Sequence, residues 1–171
     1  MNEQPPLIEG RQLSQHYDKG LVHALEKVDI QLFSGEAVAL HGPSGCGKST
    51  LLKALGAIQQ PSAGEVIVQK RALRHWRPLH RYRARQVGFV FQSHYLLPHL
   101  TLAENIEIPL IAISMAKAVR RERAKHLLAE MNLSHRAGFR PTHVSGGERQ
   151  RAAIARALAA EPPLLLCDEP T

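Results

Sequence analysis

The chain predicts an α/β fold with a mostly parallel central sheet, an N-terminal antiparallel β layer and an inserted helical subdomain. Three observations lead there. A glycine-rich run, Gly42-Pro43-Ser44-Gly45-Cys46-Gly47-Lys48-Ser49-Thr50, lies between an apolar stretch at 36–41 and a helical one. Leu164, Leu165, Leu166 and Cys167 follow one another without a polar residue, as expected of a central parallel strand covered on both faces. Between about 93 and 145 the patterning is mostly helical, so this part reads as an insertion within the α/β body.

In chain order, alternating or continuous apolar residues predict strands at 8–13, 28–33, 36–41, 65–68, 87–91 and Leu164–Cys167. Ser34 and Gly35 give a turn signal, which places the strands on either side in an antiparallel layer. Helices are predicted at 48–57, 115–131 and 146–160. In the second of these Val119, Leu127, Leu128 and Met131 fall near one face, while Arg120, Arg121, Glu122 and Lys125 lie largely elsewhere. Thr101 and Glu104 have capping-box spacing and start a further helix, which Pro109 must kink or end. The basic stretch at 70–85, with Trp76 and Tyr82 among its arginines, reads as a solvated helix face ahead of a buried strand. The same interleaving of aromatic and basic residues also suits a nucleic-acid site.

With 171 residues and 44% hydrophobic content the chain can bury one core, so a single domain over 1–171 is expected. Its net charge of +7 admits nucleic acid, an anionic membrane surface or a nucleotide-binding face, without choosing among them. No apolar run approaches the ~20 residues of a membrane helix, and the opening from Met1 to Pro6 lacks the features of a signal peptide. A cytosolic protein, peripheral to a membrane at most, is therefore expected. Cys46, Cys167 and ten scattered histidines show no metal-ligand spacing, which argues against a zinc site.

The run at 42–50 has the composition of a phosphate-binding loop. Glycines let successive backbone N–H groups curl around phosphate oxygens, Lys48 reaches the outer phosphates, and the Ser49 hydroxyl can ligate magnesium. A helix beginning at Lys48 points its positive end at the anion. Such a loop needs a carboxylate for the magnesium shell, and Asp168, at the end of the most apolar strand, suits that place. Glu169 beside it can act as general base toward the attacking water. The plainer reading has Asp168 and Glu169 only ending a strand before a turn at Pro170. Ser145-Gly146-Gly147-Glu148 opens the last helix with a capping box of its own. Two consecutive glycines are nevertheless poor helix formers. Their unhindered N–H groups make this a second anion-binding helix end, suited to a phosphate arriving from outside.

GPSGCGKST, VSGGERQ and LLLCDEPT, in that order, resemble the Walker A, signature and Walker B motifs of ATP-binding-cassette (ABC) ATPase subunits. The resemblance implies the fold of a phosphate-loop (P-loop) NTPase. It also implies an ATPase that uses ATP and Mg2+ and pairs head to tail with a second such chain, as a homodimer, with an integral membrane permease as further partner. In this arrangement Gly42, Pro43, Ser44, Gly45, Cys46, Gly47, Lys48, Ser49 and Thr50 bind nucleotide in one chain, while Ser145, Gly146, Gly147 and Glu148 act on the partner's ATP. By the same resemblance Tyr17 stacks on adenine, with a strand aromatic packing on its sheet as the lesser alternative. Gln92 senses magnesium and the attacking water. Ser49, Gln92 and Asp168 organise the metal, and Glu169 is catalytic. The stretch from Phe89 to Asn105 resembles the branch that includes lipoprotein-releasing and macrolide-exporting systems, which implies a place on the cytosolic face of the inner membrane.

Some positions depart from the family pattern. Glu148 replaces a frequent glutamine and Val144 a frequent leucine. The carboxylate of Glu148 is expected to point away from any phosphate. Family members continue beyond Thr171 with a dimer-contacting loop, a strand and a phosphate-positioning histidine, so the resemblance implies a cassette incomplete at its C-terminus, folding poorly alone and hydrolysing ATP weakly. Cys46 reads equally as a reactive thiol within the loop or as an inert small residue, and Cys167 as a core thiol. Two other functions stay compatible: a soluble cassette ATPase acting on nucleic acid or ribosomes, with nucleic acid the less favoured partner, and a fragment that binds nucleotide without catalysis.

Overall fold

The computed structural model describes residues 5–169, in two compact units that divide between Leu79 and His80. The readings made at Met1–Gln4, at the Pro170 turn and at Thr171 lie outside the described residues.

The first unit holds an antiparallel layer of four strands, β1 (Ile8–Tyr17), β2 (Val22–Leu32), β3 (Ala63–Val68) and β4 (Arg71–Ala72), in the order β2-β1-β3-β4. Ile8 pairs with Leu32 on one side and Val68 on the other. Ile8, Leu13, Val66 and Val68 are buried, and helix α1 (Lys48–Leu55) buries Leu51, Leu52, Ala54 and Leu55. The first two strands run further than the apolar pattern predicts. Polar residues such as Gln15 and His16 stay in the ladder because backbone groups pair whatever the side chain.

The expected antiparallel N-terminal layer is present, but the strand expected at 36–41 is not. The Ser34–Gly35 turn forms, with the Glu36 N–H donating to Phe33 O at 3.2 Å and the Glu36 carboxylate accepting from Phe33 N at 2.8 Å. Beyond it the chain joins no ladder among the described residues, and Val38 is 45% exposed. Apolar patterning makes a segment suitable for a sheet, but only a neighbouring strand makes it one.

The basic stretch at 70–85 also differs from the single helix face expected. It supplies β4, a 3-10 turn at Leu73–His75 and helix α2 (Leu79–Gln86). Arg71 lies over the Trp76 ring at 5.3 Å and Arg74 pairs with Glu65, so part of the charge is engaged within the chain. Tyr82 is buried rather than solvated, and burial pushes its phenol pKa up.

In the second unit β5 (Val87–Val90) and β6 (Leu164–Cys167) pair in parallel, Val87 with Leu164 through Val90 with Cys167. Helices α3 (Leu102–Ala112), α4 (Lys117–Glu130) and α5 (Gly146–Leu158) supply the core. Leu102, Ile106, Leu110, Leu127, Leu128 and Leu133 are almost wholly buried there, each contributing about 2 kcal/mol. β6 is not covered on both faces as expected. Leu164 and Leu166 are buried on one face, but Leu165, on the opposite face with its partner Gly88, is 43% exposed, so α5 covers that face at Gly88 and leaves Leu165 partly open. Val119 is likewise 54% exposed. It lies five positions before the buried Ala124, about 140° round the helix at 3.6 residues per turn. Pro109 does not end α3, which runs on to Ala112. The loss of one backbone bond is outweighed by the burial of Ile106 and Leu110 on the same face.

Thr101 caps α3 as predicted. Its Oγ1 accepts from Glu104 N at 3.2 Å, and the Glu104 carboxylate accepts from Thr101 N at 2.8 Å. The approach to this cap is organised by Asn105, which is fully buried. Its Oδ1 accepts from Leu97 N at 2.7 Å, and its Nδ2 donates to the carbonyls of Leu97 at 3.1 Å, Leu100 at 3.3 Å and Thr101 at 2.9 Å. Replacing Asn105→Leu, similar in size but without polar atoms, strands those backbone groups in the core. Urea unfolding will show a loss of roughly 2–4 kcal/mol.

Candidate nucleotide site

The first unit contributes the phosphate loop. α1 begins at Lys48 with Gly47 as its N-cap, at φ 94°, and no side chain occupies the cap. Residue 47 has to be glycine for two reasons. The backbone is left-handed, and an added Cβ would sit 2.1 Å from the carbonyl oxygen of Ala24 on β2. This close approach seats the helix start against the β layer while leaving Gly42, Pro43, Ser44, Gly45 and Cys46 exposed. Lys48 Nζ donates to the carbonyls of Gly42 and Pro43, both at 2.8 Å, and lies 3.7 Å from Cys46 Sγ. The lysine thus folds across its own loop. Ser49 and Thr50 follow on the first turn of α1, half-buried. Tyr17 ends β1, half-buried, its hydroxyl donating to Gln59 Oε1 at 2.9 Å.

The second unit brings two of the expected residues together. Asp168 extends the parallel pairing, its N–H donating to Val90 O at 2.9 Å, so Glu169 emerges beside the chain that leaves β5. Gln92 lies there, and its Nε2 donates to Glu169 Oε2 at 2.5 Å. An amide proton aimed at a carboxylate oxygen orients the carboxylate and leaves its other oxygen for a different proton. Gln92 also occupies the second position of a turn closed by His94 N–H to Phe91 O at 3.0 Å. Cys167 is half-buried, and burial raises its thiol pKa.

At the start of α5, Ser145 Oγ accepts from Glu148 N at 3.3 Å and the Glu148 carboxylate accepts from Ser145 N at 2.7 Å. Arg136 Nε donates to the same carboxylate at 3.1 Å. Glu148 therefore turns back onto the helix start, its charge matched by Arg136. The Ser145 bonds chiefly, with Arg136 adding to them, hold its pKa below the usual carboxylate value. At Gly146 and Gly147 an added Cβ would meet nothing closer than 3.7 Å, so packing does not require either glycine. Both are exposed, which leaves the first amides of α5 open to an anion.

Four further residues serve these parts without having been singled out by sequence: Asn105 and Arg136, described above, Arg149, whose Nη1 donates to Val144 O at 2.7 Å, and Arg156. Only Arg156 left a signal, as a charged residue set among Ala152, Ala153, Ala155 and Ala157 on a buried helix. Among the described residues no group of three or more His, Cys, Asp or Glu side chains gathers at one point. A hydroxyl, an amide and one carboxylate, the types supplied by Ser49, Gln92 and Asp168, instead match the needs of magnesium, which retains water and takes few carboxylates.

The family model for ABC transporters matches residues 25–171. The chain belongs to the ABC transporter ATP-binding family. Among its relatives, an ABC transporter ATP-binding protein of Thermotoga maritima is 46% identical over 159 residues, covering 91% of this chain and 68% of its own length. The lipoprotein-releasing system ATP-binding protein LolD of Roseobacter denitrificans is 42% identical, covering 97% of this chain and 75% of its own. The macrolide export ATP-binding/permease protein MacB of Burkholderia thailandensis is 44% identical over 97% of this chain but only 26% of its own. The ATP-binding cassette MJ0796, solved as a dimer in a post-hydrolysis state bound to ADP and Pi, superposes with a TM-score of 0.89 at 38% identity. It covers 96% of this chain and 74% of its own. The fold is thus the mixed α/β cassette, and the chain is an ATP-binding, ATP-hydrolysing ABC ATPase subunit that uses ATP and Mg2+.

Two outcomes follow for this ABC cassette. Gly47→Ala forces residue 47 onto the Ala24 carbonyl, and titration with a fluorescent ATP analogue will show affinity reduced by at least about 100-fold, the equivalent of 2.7 kcal/mol. Glu148 has a lowered folded pKa, so its stabilising contribution is complete above the unfolded value of 4.5 and is lost as pH falls through the folded one. Melting temperatures of the parent and Glu148→Gln proteins will therefore differ most at neutral pH and converge in acid.

Proposed function

We propose that Lys48 and the amides of loop 42–50 hold the outer phosphates of ATP, and that Glu169 is the general base for the water that attacks the γ-phosphorus. The hydrogen bond from Gln92 to Glu169 carries this reading. It joins a polar amide and a carboxylate from the ends of two adjacent parallel strands, where the register pairs Val90 with Cys167. Ser49, Gln92 and Asp168 would hold the magnesium ion. Its contribution there would be neutralisation of charge on the phosphates. Glu169 Oε2 accepts from Gln92, and the carboxylate takes a proton from the water, so that O–P bond formation and P–O cleavage release ADP and phosphate. Lys48 exchanges its two carbonyl acceptors for phosphate oxygens. Tyr17 supplies an aromatic face for adenine.

Ser145, Gly146, Gly147 and Glu148 act in trans, toward ATP held by a second cassette. The open amides of Gly146 and Gly147 support this part of the reading. The relatives named for lipoprotein release and macrolide export support the wider one: a single cassette domain, dimeric, engaging an integral membrane permease from the cytosolic face and transmitting movement through the helices at 93–145.

The test is magnesium-dependent ATP hydrolysis by the protein expressed from its complete reading frame. Glu169→Gln will reduce kcat by about 10²–10⁴-fold while ATP still binds, whereas Lys48→Ala will abolish binding. Undiminished turnover by Glu169→Gln would remove the general-base assignment, and ATPase activity responding to nucleic acid rather than to permease and membrane would favour the soluble-cassette class.

A further inference from the structure

The turn that carries Gln92 continues into two residues with left-handed backbones, His94 at φ 61° and Tyr95 at φ 46°. Neither is glycine, asparagine or aspartate, and two such residues in succession are unfavourable unless something holds them. Their carbonyls show what does. Arg156 on α5 donates from Nη2 to His94 O at 2.6 Å and from Nη1 to Tyr95 O at 2.5 Å. In an extended chain successive carbonyls point to opposite sides; in two successive left-handed residues they point the same way, and one planar guanidinium can take both. Arg156 is half-buried, and burial lowers its pKa. Among the described residues its guanidinium is matched by these carbonyls rather than by a carboxylate ion pair. Backbone bonds from His94 N to Phe91 O at 3.0 Å and from Tyr95 N to Ser93 O at 2.7 Å complete the bend.

We infer that Arg156 is a positioning residue for Gln92: by gripping the carbonyls of His94 and Tyr95 it maintains the left-handed bend that aims the Gln92 amide at Glu169. The inference rests on the reading of Gln92 and Glu169 as parts of the hydrolytic site. Arg156 does not touch the reacting atoms. Its effect passes through the backbone of residues 92–95. A lysine in its place keeps the charge but offers a compact ammonium with no fork, and so cannot span both carbonyls as a planar pair.

The experiment compares magnesium-dependent ATP hydrolysis for the parent, Arg156→Gln, Arg156→Lys, and Arg156→Gln combined with His94→Gly and Tyr95→Gly. Expected are a fall in kcat of about 10- to 100-fold for both single variants, as for a misplaced catalytic group, with KM for ATP changed less than about threefold. Partial recovery of kcat is expected in the triple variant, because glycine enters the left-handed region without a steric penalty. Hydrogen exchange at His94 N–H will accelerate in the single variants and slow again in the triple. If Arg156→Gln does not fold, Arg156→Lys carries the comparison. A parent that does not hydrolyse ATP overturns the hydrolytic reading. A parent that does, beside single variants of equal kcat or a loss the two glycines leave unrelieved, overturns the role of Arg156 alone.

Discussion

The second unit is organised around a place where no side chain can stand. An added Cβ at Gly88 in β5 would lie 2.4 Å from the carbonyl oxygen of Ala157, so α5 rests directly on strand backbone. On the helix side Ala153 and Ala157, both buried and both outside the helical cluster that takes in Ala152 and Ala155, are small enough to permit the same closeness. Had a larger residue kept the helix off the strand, Arg156 would not reach the chain leaving β5, and its two short bonds to His94 and Tyr95 would be lost. The grip on the turn depends on this one backbone approach, while the parallel register of β5 and β6 brings Glu169 out beside Gln92. Close packing of small residues trades buried area for positional accuracy, which suits a segment that sets the Gln92 amide against the Glu169 carboxylate.

Electrostatics in the same unit follow a consistent rule: charges near the helix starts are spent locally. Glu104 and Glu148 each turn back to cap their own helix, and each has its pKa lowered by the backbone N–H it accepts. Arg136 then matches Glu148. The result at α5 is a helix end whose acidic side chain is already saturated and whose two glycine amides are exposed. A carboxylate in a phosphate-directed motif is thereby compatible with anion binding.

Much of this could be read from the residues alone, and the exceptions have physical causes. Both capping boxes, the parallel strand before Asp168, the antiparallel N-terminal layer and the helix start at Lys48 stand where local spacing placed them. The segment at 36–41 had a suitable pattern, but a strand needs a partner, and no pattern within six residues can supply one. Pro109 broke no helix, since tertiary burial of Ile106 and Leu110 outweighs a local preference. Tyr82 is core rather than surface, because long-range packing decides which face of a basic helix is covered. The left-handed bend at His94 and Tyr95 carries no glycine to announce it; its support comes from a residue 61 and 62 positions away in sequence. Residue types announced the chemical groups of the site, while the groups that aim them became visible only in three dimensions.

The ammonium of Lys48 already has two acceptors inside its own loop, the carbonyls of Gly42 and Pro43. On the role proposed for Lys48, phosphate capture is an exchange rather than a simple gain. A ligand must offer enough negative charge at the right reach to replace two bonds from the ammonium to neutral carbonyls, and a monophosphate offers less than a triphosphate. In that proposed role the loop would rank ligands by charge before any contact with base or sugar, a first stage of discrimination held entirely in main-chain oxygens that a substitution survey of side chains would pass over.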